Sequence, residues 1–145
     1  MAAKWYTEGT EVIFACDPSA EAEVIAAAEA AGTAGAKVIG VITDKSALSE
    51  AVLTTAMKGY AEAAQWALAS YYGGTFAGGQ ILRLYAAEGA VLLPMETSQF
   101  TAFTQESYEA VYERLASGGV ALFKDTDAKD IKSIGLMKVK VMLTD

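Results

Sequence analysis

The chain has 145 residues, enough for one domain with a buried core, and its 53% hydrophobic content is that of a globular rather than a disordered protein. Lys and Arg total 11 against 18 Asp and Glu, a formal charge of −7, which argues against a nucleic-acid partner because phosphate binding draws on clustered cations. Histidine is absent and the single cysteine is Cys16, so Ser-His-Asp and Cys-His catalysis, histidine-ligated metals, an internal disulfide and a multi-cysteine zinc site are excluded.

Met1-Ala2-Ala3-Lys4 lacks the apolar stretch of a signal peptide, and no run approaches the roughly 18 apolar residues of a membrane span. Taken alone, the sequence reads as soluble and cytosolic. Glu11-Val12-Ile13-Phe14-Ala15-Cys16 is a nearly continuous β-prone run, as expected of a strand covered on both faces, with Cys16 read as a small buried hydrophobe. Asp17-Pro18-Ser19 punctuates it; Asp17 or Ser19 can cap a helix over 20–31, which Gly32 ends. Lys37-Val38-Ile39-Gly40-Val41-Ile42 follows as a second buried strand, completing a βαβ unit and so a parallel pair.

Val52-Leu53-Thr54-Thr55 is a short third strand, followed by a helix over about 57–72 with Trp66, Leu68 and Tyr71 among its packing residues. The glycine-rich stretch 73–79 is a turn. Gln80 to Tyr85 and Ala90 to Leu93 read as strands on either side of Glu88-Gly89. Residues 105–116 form a helix, with Tyr108, Val111, Tyr112 and Leu115 at i, i+3, i+4 and i+7. Strands at 120–123 and near 137–143 are expected last, Met137, Val139 and Val141 alternating with Lys138 and Lys140. The whole reads as a single α/β domain over 1–145.

Several stretches in order resemble the second lobe of the basic-membrane-protein family of ABC transporter substrate-binding lipoproteins, its nucleoside-receptor branch. Tyr6-Thr7-Glu8-Gly9-Thr10-Glu11-Val12-Ile13-Phe14 is similar to a glycine, an acidic residue and then Val-Ile-Phe. Residues 37–46 resemble Ile-Gly-Val-Asp-x-Asp-Gln-Ser, and Val52-Leu53-Thr54-Thr55-Ala56-Met57-Lys58 resembles Val-Leu-Thr-Ser-x-x-Lys. Residues 73–84 and 88–94 resemble the family's Gly-x-Phe-x-Gly-Gly turn and its Glu-Gly-Gly-Val-Gly-Leu-x-Pro loop.

The resemblance covers about 6–122, leaving 123–145 as a C-terminal extension. It implies a three-layer α/β/α sandwich with a mostly parallel sheet, a periplasmic-binding-protein-like (flavodoxin-like) lobe without catalytic residues, metal or cofactor. It further implies a non-enzymatic protein that binds purine nucleosides or related small solutes by hinge closure of two lobes. Its implied partners are the missing first lobe, an ABC permease and the solute, with a homodimer of the isolated lobe as a further expectation. The implied location is extracytoplasmic and membrane-anchored, as part of a full-length lipoprotein whose anchor and signal peptide lie outside this chain. A competing expectation is a sensory or assembly domain that kept the fold and lost the pocket.

In doubly wound sheets, ligands sit at the carboxyl ends of the strands, where the loops 16–20, 42–46 and 55–58 should meet. The candidate ligand-binding residues there are Asp17, Ser19, Ile42, Asp44 and Lys58. Lys58 matches a family lysine that contacts nucleoside; its plainer reading is a surface charge. Asp44 matches the second Asp of the family's Asp-x-Asp, or serves as a turn residue or helix cap. Two departures stand out. The family's first Asp, an acceptor for ribose hydroxyls, falls on Ile42, and its glycine-rich turn is replaced by Asp17-Pro18-Ser19-Ala20-Glu21. That turn also has no dinucleotide fingerprint. Acid pairs such as Glu21/Glu23 and Asp125/Asp127 could act as acid and base but read more simply as solvated positions. Trp5, Trp66, Tyr71 and Tyr72 could stack on a base or belong to the core.

Overall fold

A computed structural model describes residues 1–32 and 35–120, with Leu122 and Met142. The sheet is built from β1 (Val12–Phe14), β2 (Lys37–Ile42), β3 (Val52–Lys58) and β4 (Val91–Leu92), paired in that order. β1, β2 and β3 run parallel, and β4 is antiparallel to β3. The helices are α1 (Ala2–Thr7), α2 (Glu21–Ala31), α3 (Tyr60–Tyr72) and α4 (Gln105–Ala116). A mostly parallel sheet with flanking helices is the α/β architecture expected.

α2 is the crossover of the β1–α2–β2 unit. Its alanine-rich face packs on the sheet, and Gly32 ends it in the left-handed conformation at φ 62°. The link from β2 to β3 carries only a 3-10 turn, Ser46–Leu48, in place of a helix. The core lies between α1, α2 and the sheet: Tyr6, Ile13, Ile25, Ala28, Val38 and Val52 are buried together. Val38 and Val52 are wholly enclosed, each stabilising the fold by about 1.5–3 kcal/mol. α1 was not foreseen in the sequence; the Tyr6 hydroxyl anchors it to β2 by donating to the Lys37 carbonyl at 2.9 Å.

A buried carboxylate fixes the end of β2. Glu21, the first residue of α2, is only 5% exposed. Its Oε1 accepts the Val41 N–H at 2.9 Å, and its Oε2 lies 3.3 Å from Lys45 Nζ. A Cβ on Gly40 would stand 2.5 Å from that same Oε1, so only glycine leaves room for the carboxylate. Glu21 is therefore neither a solvated helix position nor a free acid.

Other expectations are corrected. β3 runs to Lys58 and α3 begins at Tyr60, because Met57 and Lys58 pair with Leu92 and Val91 of β4. Gly59 then breaks the strand and donates its N–H to the Ala90 carbonyl at 2.9 Å. A side chain there would collide with the Gly89 carbonyl and Ala90. Residues 80–85 form no strand; Ile81 is 84% exposed, and the run has no ladder partner among the described residues, without which an apolar run does not become a strand. α3 has no buried residue among those described, and Trp66, Leu68, Tyr71 and Tyr72 are exposed. Trp5 packs at the edge of the core. The strands expected at 120–123 and 137–143, and the pair Asp125/Asp127, lie outside the described residues apart from Val120, Leu122 and Met142.

The Glu21 contacts rank two substitutions. Glu21→Ala, which strips β2 of its acceptor and leaves Lys45 without its counter-charge, should cost about 2–3 kcal/mol in urea unfolding, and Glu21→Gln about half as much. Gly40→Ala should cost about 1–3 kcal/mol through overpacking.

Candidate functional site

A cleft of about 550 Å³ opens at the carboxyl ends of β1, β2 and β3. Cys16 and Pro18 line it from the loop after β1, Val41 and Ile42 from β2, and Met57 and Lys58 from β3. The opposite wall is Leu92 and Leu93 at β4, Phe103, and the α4 side chains Tyr108, Val111, Tyr112 and Leu115. Among the described residues that line it, Lys58 is the one with a charge. An apolar cleft with a single fixed charge suits a small solute with a flat or aliphatic body and one acceptor or anionic group.

Each wall has a local cause. Thr104 caps α4 by accepting the Ser107 N–H at 3.2 Å. Tyr112 donates its hydroxyl to the Ala86 carbonyl at 2.9 Å, and the Tyr108 oxygen accepts the Leu93 N–H at 3.3 Å. Burial chiefly, with Tyr108, Glu62 and Glu88 nearby, raises the Tyr112 phenol above its ordinary value, so it remains a donor. The segment behind β4 is stitched to the sheet: Gln99 N–H donates to Leu53 O at 2.8 Å, and the Thr54 and Ser98 hydroxyls lie 2.6 Å apart. Lys37 Nζ reaches the Glu50 carbonyl at 2.6 Å and Gln99 Oε1 at 2.9 Å.

Ile42 is unusual. It is the one described non-glycine residue with a positive φ, at 76°. The Thr43 N–H donates back to the Val41 carbonyl at 3.0 Å, which makes Ile42 the centre of a γ-turn of the rare, strained kind.

Of the five candidates, Ile42 and Lys58 line the cleft, whereas Asp17, Ser19 and Asp44 are not among its lining residues. Asp17 Oδ1 accepts both the N–H of Ser19 at 2.9 Å and its hydroxyl at 2.8 Å. These bonds, the backbone one foremost, lower its carboxyl below the ordinary range. Neither residue caps α2, whose N-cap is Ala20 without a side-chain bond. Asp44 Oδ1 accepts the Ser46 N–H at 2.9 Å and Oδ2 the Thr97 hydroxyl at 2.7 Å, so it ties the loop after β2 to the segment after β4. It borders a second depression of about 530 Å³ with Pro94, Thr97 and Gln105. Cys16 is exposed rather than buried, because β1 ends at Phe14 and the backbone turns there. Sequence reasoning missed the cleft-facing role of α4. The signal available was the stripe Tyr108, Val111, Tyr112 and Leu115, whose spacing marks one helical face but not what that face meets. Among the described residues no group of three or more His, Cys, Asp or Glu could hold a metal, and no helix is long and apolar enough to cross a membrane.

Residues 1–123 match the family of ABC transporter substrate-binding proteins described as PnrA-like (Bmp), and the chain belongs to that family. It is also similar to the solved structure of an ABC transporter system solute-binding protein from Conexibacter woesei DSM 14684, at 25% identity and a TM-score of 0.59. That likeness covers 83% of this chain and 40% of the other, so the chain spans well under half the length of that relative. No curated protein matches.

The Asp44 bonds carry a pH signature. The Ser46 N–H first, then the Thr97 hydroxyl, lower its carboxyl below the ordinary 3.8. A depressed folded value stabilises the fold above the unfolded value and stops doing so as pH falls through the folded one. The thermal midpoint of Asp44→Asn should therefore lie modestly below that of the unaltered chain at pH 7. That gap should close as pH is lowered beneath 3.8.

Proposed function

We propose that this chain is one lobe of the substrate-binding component of an ABC importer, non-catalytic, and that its cleft takes one side of a small solute of the nucleoside kind. The observation that carries the reading is the position of the cleft, at the carboxyl ends of three parallel strands, with Lys58 the one charge among its described lining residues. A purine-sized ring fits between the wall of Ile42 and Met57 and that of Phe103 and Tyr108, while Lys58 donates to an acceptor on the solute. Ile42 and Lys58 touch the solute; Asp17, Ser19 and Asp44 act through the loops they shape. Family membership lends no support to a sensory or assembly role.

In this reading the other half of the pocket belongs to a first lobe outside this chain. Closure of the two lobes excludes water and presents a closed form to the permease. The protein works outside the cytoplasm, tethered to the membrane.

The test is a titration of isotope-labelled chain with inosine, guanosine and adenosine, followed by NMR, which detects the weak binding expected of half a pocket. Amides of Ile42, Met57, Lys58 and Leu93 should shift, and Lys58→Ala should weaken binding about tenfold. No shift with any nucleoside at millimolar concentration, on a folded chain, would overturn the nucleoside reading.

A further inference from the structure

We propose that Ile42 determines which part of a solute this lobe accepts: its forced, apolar presentation favours a bare ring system and disfavours a hydroxyl-bearing sugar at that wall. The inference rests on the binding role proposed above for the cleft.

Ile42 is a β-branched residue at φ 76°, a conformation that such side chains strongly avoid. Strain of this kind persists only where the surroundings over-determine the backbone. They do so on both flanks. Before it, the Val41 N–H is held at 2.9 Å by the buried Glu21 carboxylate. After it, the Lys45 N–H donates to Thr55 Oγ1 at 3.1 Å, and Lys45 Nζ returns to Glu21 at 3.3 Å. Between them, Asp44 accepts the Ser46 N–H at 2.9 Å. The backbone of residue 42 is thus set by its neighbours, and asparagine, aspartate or glycine would occupy it with less strain. Isoleucine there works against the fold, and what it supplies is a wall of the cleft beside Met57.

That wall has a chemical meaning. Isoleucine neither donates nor accepts a hydrogen bond, so a hydroxyl pressed against it loses water and gains no partner. A flat ring loses little by the same contact. At this place the lobe therefore takes the face of a heteroaromatic base, with Lys58 reaching an acceptor on it. Aspartate at position 42 would reverse the preference, since a carboxylate accepts two charge-assisted bonds from a vicinal diol.

The experiment pairs stability with selectivity on the same chain. In thermal unfolding, Ile42→Asn should raise the midpoint, by roughly 2–4 °C from relief of the strained turn. By NMR titration, the unaltered chain should bind hypoxanthine at least as tightly as inosine, the same base with and without ribose. Ile42→Asp should invert that order about tenfold or more. Inosine favoured tenfold by the unaltered chain, an unchanged order in Ile42→Asp, or a midpoint lowered by Ile42→Asn would each overturn the inference while leaving a solute-binding lobe in place. Absence of binding by the unaltered chain to either compound would instead strike the proposed function, and this inference with it.

Discussion

One buried carboxylate organises the end of the sheet. Glu21 enters at the first turn of α2, 5% exposed, and must be paid back for its lost hydration by bonds inside the protein. It finds them in the Val41 N–H and the Lys45 ammonium, so a helix, a strand and a loop are joined at one point. The arrangement requires glycine at position 40 and positions the backbone on both sides of Ile42. The cleft wall at the carboxyl end of β2 is therefore a product of a contact on the far side of the strand.

A second constraint closes the cleft from the other side. Gly59 ends β3 against the backbone of Gly89 and Ala90, an approach too close for any side chain. This brings β4 beside Met57 and Lys58, and the segment behind it is laced to β3 through Leu53 and Thr54. α4 then reaches the cleft through tyrosine hydroxyls rather than through a buried seam; it has no buried residue among those described. Among the described residues, the β side of the cleft is held by a ladder and the α side by a few hydrogen bonds.

Much of the frame was legible in the sequence. β2 at 37–42 and α4 at 105–116 fall where the pattern puts them, because a continuous apolar run and a strongly periodic, Thr-capped helix carry their own signals. The meeting of the loops after β1 and β2 with the end of β3 was legible from topology. What failed depended on long-range pairing. The extension of β3 to Lys58 needed β4, and residues 80–85 find no ladder partner among the described residues, neither of which local sequence encodes. Glu21 was misread for a similar reason: a glutamate in an Ala/Glu helix looks solvated until Val41 and Lys45 are seen around it. The departure at Ile42 was visible as a substitution, while its positive φ was not, since isoleucine is among the last residues one would place there.

The exposed thiol of Cys16 has a practical side. The chain holds one cysteine, and that cysteine lines the cleft. A thiol-reactive fluorophore would therefore attach at a single position without any engineered substitution. Its emission would respond to whatever displaces water from the cleft, so the chain carries a built-in address for an optical reporter of that cleft.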